Sequence, residues 1–227
     1  MLTRFYTKCF LAGHGAPLPG PAHAEARRRL AGDAAKTYRE LLPTLPRQPT
    51  LGARAVTRFT AVGVAFFQAA LAAGIARPEA IRLVERANRR ALGPFVKLGS
   101  RLRGGLGRRP ITRARRVFFF MNRVFPFASP GWQRADVEMG PGAVGFDYTS
   151  CPIAALTREQ GALDLCTGAY CELDHWIGDA LEVRLHRTET IALGHARCRF
   201  RWHPADALAS AAGAEPGKGS GEAGPPA

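Results

Sequence analysis

The stretch 147–202 concentrates residue types that can do chemistry, at spacings that bring them together. Cys151 precedes Pro152 where an alternating strand-like pattern gives way to a helical one. It therefore falls near a helix N-cap, where free backbone N–H groups and the helix dipole favour a thiolate. Twenty residues on, Cys171, Asp174 and His175 occupy i, i+3 and i+4 and share one face of a helix. Thr188 and Thr190 stand two apart in an alternating stretch and are expected to share a strand face. Thiol, carboxylate and imidazole are the groups that nucleophilic and general acid–base catalysis use. Each also has a plain structural reading. Cysteine is often a buried small hydrophobe, which is the expectation for Cys166 and Cys198. His175 reads equally as an exposed histidine, the threonines as good strand formers, and Gly194 as a turn residue.

Two hydrophobic periods supply the elements that must position these groups. Residues 134–139 and 143–148 read as strands around the turn Gly140-Pro141-Gly142, and 152–160 as a short helix. A second helix is expected over 163–178, with Leu165, Ala169, Leu173 and Trp176 on one face. Residues 181–190 alternate as a strand. In 197–203, Cys198, Phe200 and Trp202 fall on one strand face and Arg197, Arg199 and Arg201 on the other. Upstream, helices are expected over about 25–42, 52–75 and 78–92, the first stopped by Pro43, Pro46 and Pro49. The fold class is thus α+β: a helical N-terminal half, then a small antiparallel sheet with two packed helices.

The expected organisation has three parts: an irregular N-terminus at 1–24, one α+β domain at 25–204 and a disordered Ala/Gly/Pro-rich tail at 205–227. Within the domain, 25–96 is helical, 97–116 is a basic linker broken by glycines and Pro110, and 134–204 carries the candidate chemistry. Residues 117–127 (VFFFMNRVFPF) are expected to pack inward. The apolar stretch 61–76 is short for a membrane span and contains Gln68, so it reads as a buried helix. The first 24 residues lack the apolar run of a signal peptide.

With 46% hydrophobic residues, the 227-residue chain can build a core and is neither collagen-like nor disordered overall. Its net charge of +14 is lopsided: residues 1–120 hold 23 Lys+Arg against 5 Asp+Glu, and the remainder 9 against 13. Segment 97–116 has eight basic residues and no acidic one. Such charge attracts nucleic acid or acidic lipid non-specifically. No zinc finger, helix-turn-helix or aromatic RNA-binding signature accompanies it, so a specific nucleic-acid partner is not expected. Five cysteines, an odd number, suit a reduced cytoplasmic protein better than a disulfide framework. Cys151, Cys171, Cys198 and His175 have the composition of a zinc site but no tight Cys-x-x-Cys pair, so no metal or other cofactor is expected.

Five elements recur in order: Cys151-Pro152, Cys171-Glu172-Leu173-Asp174, Thr188-Glu189-Thr190, Gly194 and Cys198-Arg199-Phe200. Together, over about 55 residues, they resemble the L-2-amino-thiazoline-4-carboxylate hydrolase-like family. In that family's pattern an acidic residue often follows the last cysteine, where this chain has Arg199. The resemblance implies water adding to the carbon between sulfur and nitrogen of a cyclic amidine, giving a carbamoyl-cysteine. For that chemistry, residue type and spacing offer Cys171 or Cys151 as nucleophile, Asp174 as partner of the amidinium or as general base, and His175 as proton shuttle. Arg187 or Arg197 would hold the substrate carboxylate, with Thr188 and Thr190 beside the substrate. A more distant likeness to small-molecule-binding domains of the 4-vinyl reductase type keeps open a non-catalytic small-molecule- or metal-binding role.

Overall fold

The computed structural model describes residues 2–12, 21–101 and 107–206. Helices α1 (Leu2–Ala12), α2 (Pro21–Leu41), α3 (Leu51–Ala72), α4 (Arg77–Arg101) and α5 (Pro110–Arg123) precede a hairpin of β1 (Arg134–Val137) and β2 (Val144–Tyr148). Then come α6 (Pro152–Glu159) and a helical stretch over 163–181. The latter is built of one turn α7 (Leu163–Leu165), π-helical turns over Cys166–Cys171 and α8 (Glu172–Leu181). Strand β3 (Val183–His186), a 3-10 turn at Ile191–Leu193 and β4 (Cys198–Pro204) close the fold. The four strands form one antiparallel sheet in the order β1-β2-β4-β3. The architecture is α+β.

Two cores result. In the helical one, Leu30, Ala34 and Tyr38 of α2, Val62 and Phe66 of α3, and Leu83 and Val84 of α4 pack with Leu156 and Leu165. Helix α3 starts at a cap in which the Thr50 hydroxyl accepts from the Ala53 N–H at 3.1 Å. It is apolar and long enough to cross a bilayer, and much of it is buried in the helical core.

The second core lies on one face of the sheet. Cross-strand partners Val144–Trp202, Phe146–Phe200 and Tyr148–Cys198 set an apolar surface, onto which Ile111, Ala114 and Phe118 of α5 and Leu181 of α8 pack. The approach is close enough that a Cβ on Gly178 would sit 2.7 Å from Trp202 and 2.8 Å from the Val183 carbonyl oxygen. Only glycine fits there. Buried Arg113 ties α5 to the end of α8 through an ion pair with Glu182, the residue whose left-handed backbone (φ 61°) ends the helix.

The other sheet face is charged. Asp147, buried on that face, accepts from Arg201 at 2.7 Å and from Arg197 at 3.3 Å, while Arg199 and Arg197 pair with Glu189. The alternation in 197–203 is therefore realised, and the arginine side neutralises carboxylates rather than facing water alone.

Several boundaries differ from the expectations. Residues 2–12 are helical, not irregular, because Tyr6 is fully buried and its hydroxyl donates to Asn88 Oδ1 at 2.5 Å. Helix α2 already begins at Pro21, since proline suits a first helical position. The basic segment 97–116 is mostly not a linker where it is described: α4 continues through Pro94 to Arg101, and Pro110 opens α5 at its first position. Residues 102–106 lie outside the described part. Of 117–127, Phe118 points inward but Phe119, Phe120, Val124 and Phe125 are exposed, because a helix turning 100° per residue cannot bury consecutive aromatics on one face. The helix over 163–178 runs on to Leu181, so β3 is confined to 183–186 and residues 187–190 leave the ladder. The expected disorder beyond Asp206 falls outside the described residues.

Asn88 is fully buried; it accepts from Tyr6 and donates to the Ala169 carbonyl at 3.0 Å. Replacing it with leucine leaves a hydroxyl and a carbonyl unpaired in the core. Asn88→Leu should lower unfolding free energy by about 2–4 kcal/mol, read by urea denaturation.

Candidate active site

The two cores meet at the π-helical turns 166–171, and the candidate site is built around them. A π turn inserts one extra residue into the helix, and such insertions are frequent at functional sites. From the helical side the segment is gripped twice. Tyr170 donates from its hydroxyl to the Thr60 carbonyl at 3.1 Å, and Ala169 is held by Asn88. The grip is tight, since a Cβ on Gly63 would lie 2.1 Å from the Tyr170 hydroxyl. From the other side come Cys151, Thr190 to Ala192 and Cys198. Ala154, Cys166 and Ala192 form a small buried cluster that packs against Cys151 and Cys171.

Four of the five thiols therefore converge. Cys151 is the N-cap of α6, its Sγ accepting from the Ala154 N–H at 3.4 Å. Cys166, buried, packs with Cys151 and Cys171 in one cluster. Cys198 Sγ lies 3.3 Å from the Thr190 hydroxyl and accepts from the Ile191 N–H at 3.2 Å.

These contacts divide the thiols electrostatically. Its two sulfur neighbours, and then burial, push the Cys166 thiol up. Cys166 is in turn the largest influence pulling the Cys171 thiol below its ordinary value. Arg187 and the Thr190 hydroxyl pull the same way, and burial and Asp174 oppose them. Burial pushes Cys198 up. Cys171, only partly covered, is the thiol with the character of a nucleophile.

Arg187 and Asp174 frame it. Arg187 Nη1 donates to Asp174 Oδ2 at 2.5 Å and Nη2 to the Cys171 carbonyl at 3.2 Å, with its guanidinium 5.2 Å from the centre of the Phe200 ring. The pair ties the end of β3 to α8. Burial pushes the Asp174 carboxyl above the usual carboxylate range, with Arg187 resisting. Tyr148, the cross-strand partner of Cys198, is buried and its phenol is pushed up by burial.

Of the residues singled out in the sequence, Cys151, Cys171, Asp174, Arg187 and Thr190 come together. His175 follows Asp174 on α8 but is exposed. Thr188 and Thr190 do not share an environment. They lie beyond the end of β3, with Thr188 exposed and Thr190 buried. Arg197 is on the charged side of the sheet, committed to Asp147 and Glu189. Cys166 and Cys198, read as core cysteines, are core residues that also touch the site. Five-residue spacing gives Cys166 and Cys171 no common face on an α-helix, so their meeting in the π turn had no visible signal. Among the described residues, no three His, Cys, Asp or Glu side chains are placed to hold a metal ion. A cavity of about 530 Å³ between α5 and the β1–β2 hairpin is lined by none of the thiols.

A lowered Cys171 thiol should react with iodoacetamide fastest among the cysteines, its rate rising through an inflection below that of an ordinary thiol. Cys166→Ala should move the inflection upward. Peptide mapping over a pH series reads both, and preferential labelling of Cys166 or Cys198 would contradict the assignment.

The model of a family described as L-2-amino-thiazoline-4-carboxylic acid hydrolase matches residues 55–202 of the chain. No curated protein and no solved structure matches it.

Proposed function

The chain belongs to the L-2-amino-thiazoline-4-carboxylic acid hydrolase family, and from that premise we propose that it opens the ring of a small cyclic amidine of the 2-amino-thiazoline-4-carboxylate type. The observation that carries the reading is the Cys166–Cys171 pair. The two thiols share one cluster with their titration pushed apart, and Arg187 joins Asp174 to the Cys171 carbonyl beside them.

In this mechanism the Cys171 thiolate adds to the carbon between ring sulfur and ring nitrogen. The carbon–sulfur ring bond breaks, and the departing sulfur takes a proton, for which Asp174 is the adjacent acid–base group. The substrate is left as an isothiourea on Cys171. Water then adds to the same carbon, the bond to Cys171 breaks, and a carbamoyl-cysteine leaves with the thiolate restored. The sum is one water consumed and one ring opened. Arg187 spends two of its five N–H donors on Asp174 and the Cys171 carbonyl, which leaves donors for a substrate carboxylate.

Incubation with L-2-amino-thiazoline-4-carboxylate, followed by mass spectrometry, should show carbamoyl-cysteine. Cys171→Ala should lose roughly three orders of magnitude in turnover or more. Cys166→Ala should lose about tenfold at neutral pH and recover as pH rises, because the nucleophile remains but ionises later. Full turnover by folded Cys171→Ala would remove covalent catalysis. A folded wild type that binds the compound without turning it over would favour a binding domain.

A further inference from the structure

The outward stripe of α5 has an unusual composition. Its exposed positions are Arg115, Arg116, Phe119, Phe120 and Arg123, at i, i+1, i+4, i+5 and i+8, so they form one continuous face. Phe119 and Phe120 are 56% and 55% exposed, and the chain continues past the helix with Val124 and Phe125 at 58% and 47%. A solvated helix face carries polar side chains; this one alternates only arginine and phenylalanine. Arg123 lies 5.2 Å from the centre of the Phe119 ring, which leaves the ring edge outward.

The cavity of about 530 Å³ opens beside this stripe. Arg115, Arg123 and Arg134 line it together with Phe119, against the carboxylates Asp136 and Glu138. Arg134 is mostly buried, and its Nε has no hydrogen-bond partner. Asp136 is shared between Arg123 and Arg134, so one carboxylate serves two guanidinium groups.

We infer that the outward stripe of α5 and the arginine-lined groove beside it form a docking surface for an anionic phospholipid bilayer. Phe119, Phe120, Val124 and Phe125 enter the boundary between headgroups and acyl chains. Arg115, Arg116 and Arg123 lie among headgroup phosphates. Aromatic side chains interleaved with basic ones are what interfacial helices use. The sign of the charge chooses the lipid: the charged side chains exposed on the stripe, Arg115, Arg116 and Arg123, are all cationic. The stripe lies away from the thiol cluster, so this inference does not depend on the proposed ring opening.

Flotation of the whole protein with vesicles tests it. Vesicles of phosphatidylcholine with phosphatidylglycerol should carry the protein upward, and vesicles of phosphatidylcholine alone should not. Raising the salt should release it. The Phe119→Ser/Phe120→Ser variant should bind on the order of tenfold more weakly, with far-UV circular dichroism and thermal unfolding unchanged. A second variant, Arg116→Gln/Arg123→Gln, should lose the preference for anionic vesicles. Failure of the wild type to float, or undiminished flotation of the phenylalanine variant, would overturn the inference. So would a wild-type dimer in sedimentation that the phenylalanine variant abolishes, since the stripe would then be the contact between two copies.

Discussion

Everything at the candidate site depends on six residues, 166–171, being wound more widely than an α-helix. In an α-helix Cys166 and Cys171 would point away from each other. The π turn brings them into one cluster, where they push each other's titration in opposite directions. The wider winding needs support, because it forfeits the best backbone geometry. That support comes from outside the helix, through Tyr170 on the Thr60 carbonyl and Asn88 on the Ala169 carbonyl. The helical core is thus a brace, and the sheet core delivers the remaining groups against it.

That division explains how the sheet is used. Its apolar face carries the aromatic ladder of Phe146, Tyr148, Phe200 and Trp202, with Cys198 at its start. This ladder fixes the register of β4 on β2 and so places Cys198 beside Thr190. Its other face spends its arginines on Asp147 and Glu189. A buried carboxylate with two guanidinium partners is satisfied only in one register, which makes the charged face a second determinant of the same alignment.

Much of this was legible in the residues. The alternation around Cys198, Phe200 and Trp202 fixes a strand and its faces, and Pro152 after Cys151 marks a helix start whose cap is the thiol itself. The i, i+3 relation of Cys171 and Asp174 survives because both lie at the α-helical end of the stretch. What could not be read is whatever rests on departures from regular periods or on distant partners. The Cys166–Cys171 contact requires the π turn. Thr188 and Thr190 part company because β3 ends at His186. The face of Arg197 was legible but its partner there, Asp147, fifty residues away, was not. The helical character of residues 2–12 comes from Tyr6 reaching Asn88, a contact across 82 positions that no local window contains.

That last contact bears on where the functional unit begins. The family match starts at residue 55, yet Tyr6 hydrogen-bonds the same asparagine that steadies Ala169 beside the thiol pair. Likeness in sequence and dependence in folding thus draw different borders here. The matched portion carries the thiol cluster, while the leading helices act as a buttress set behind the wall that holds it.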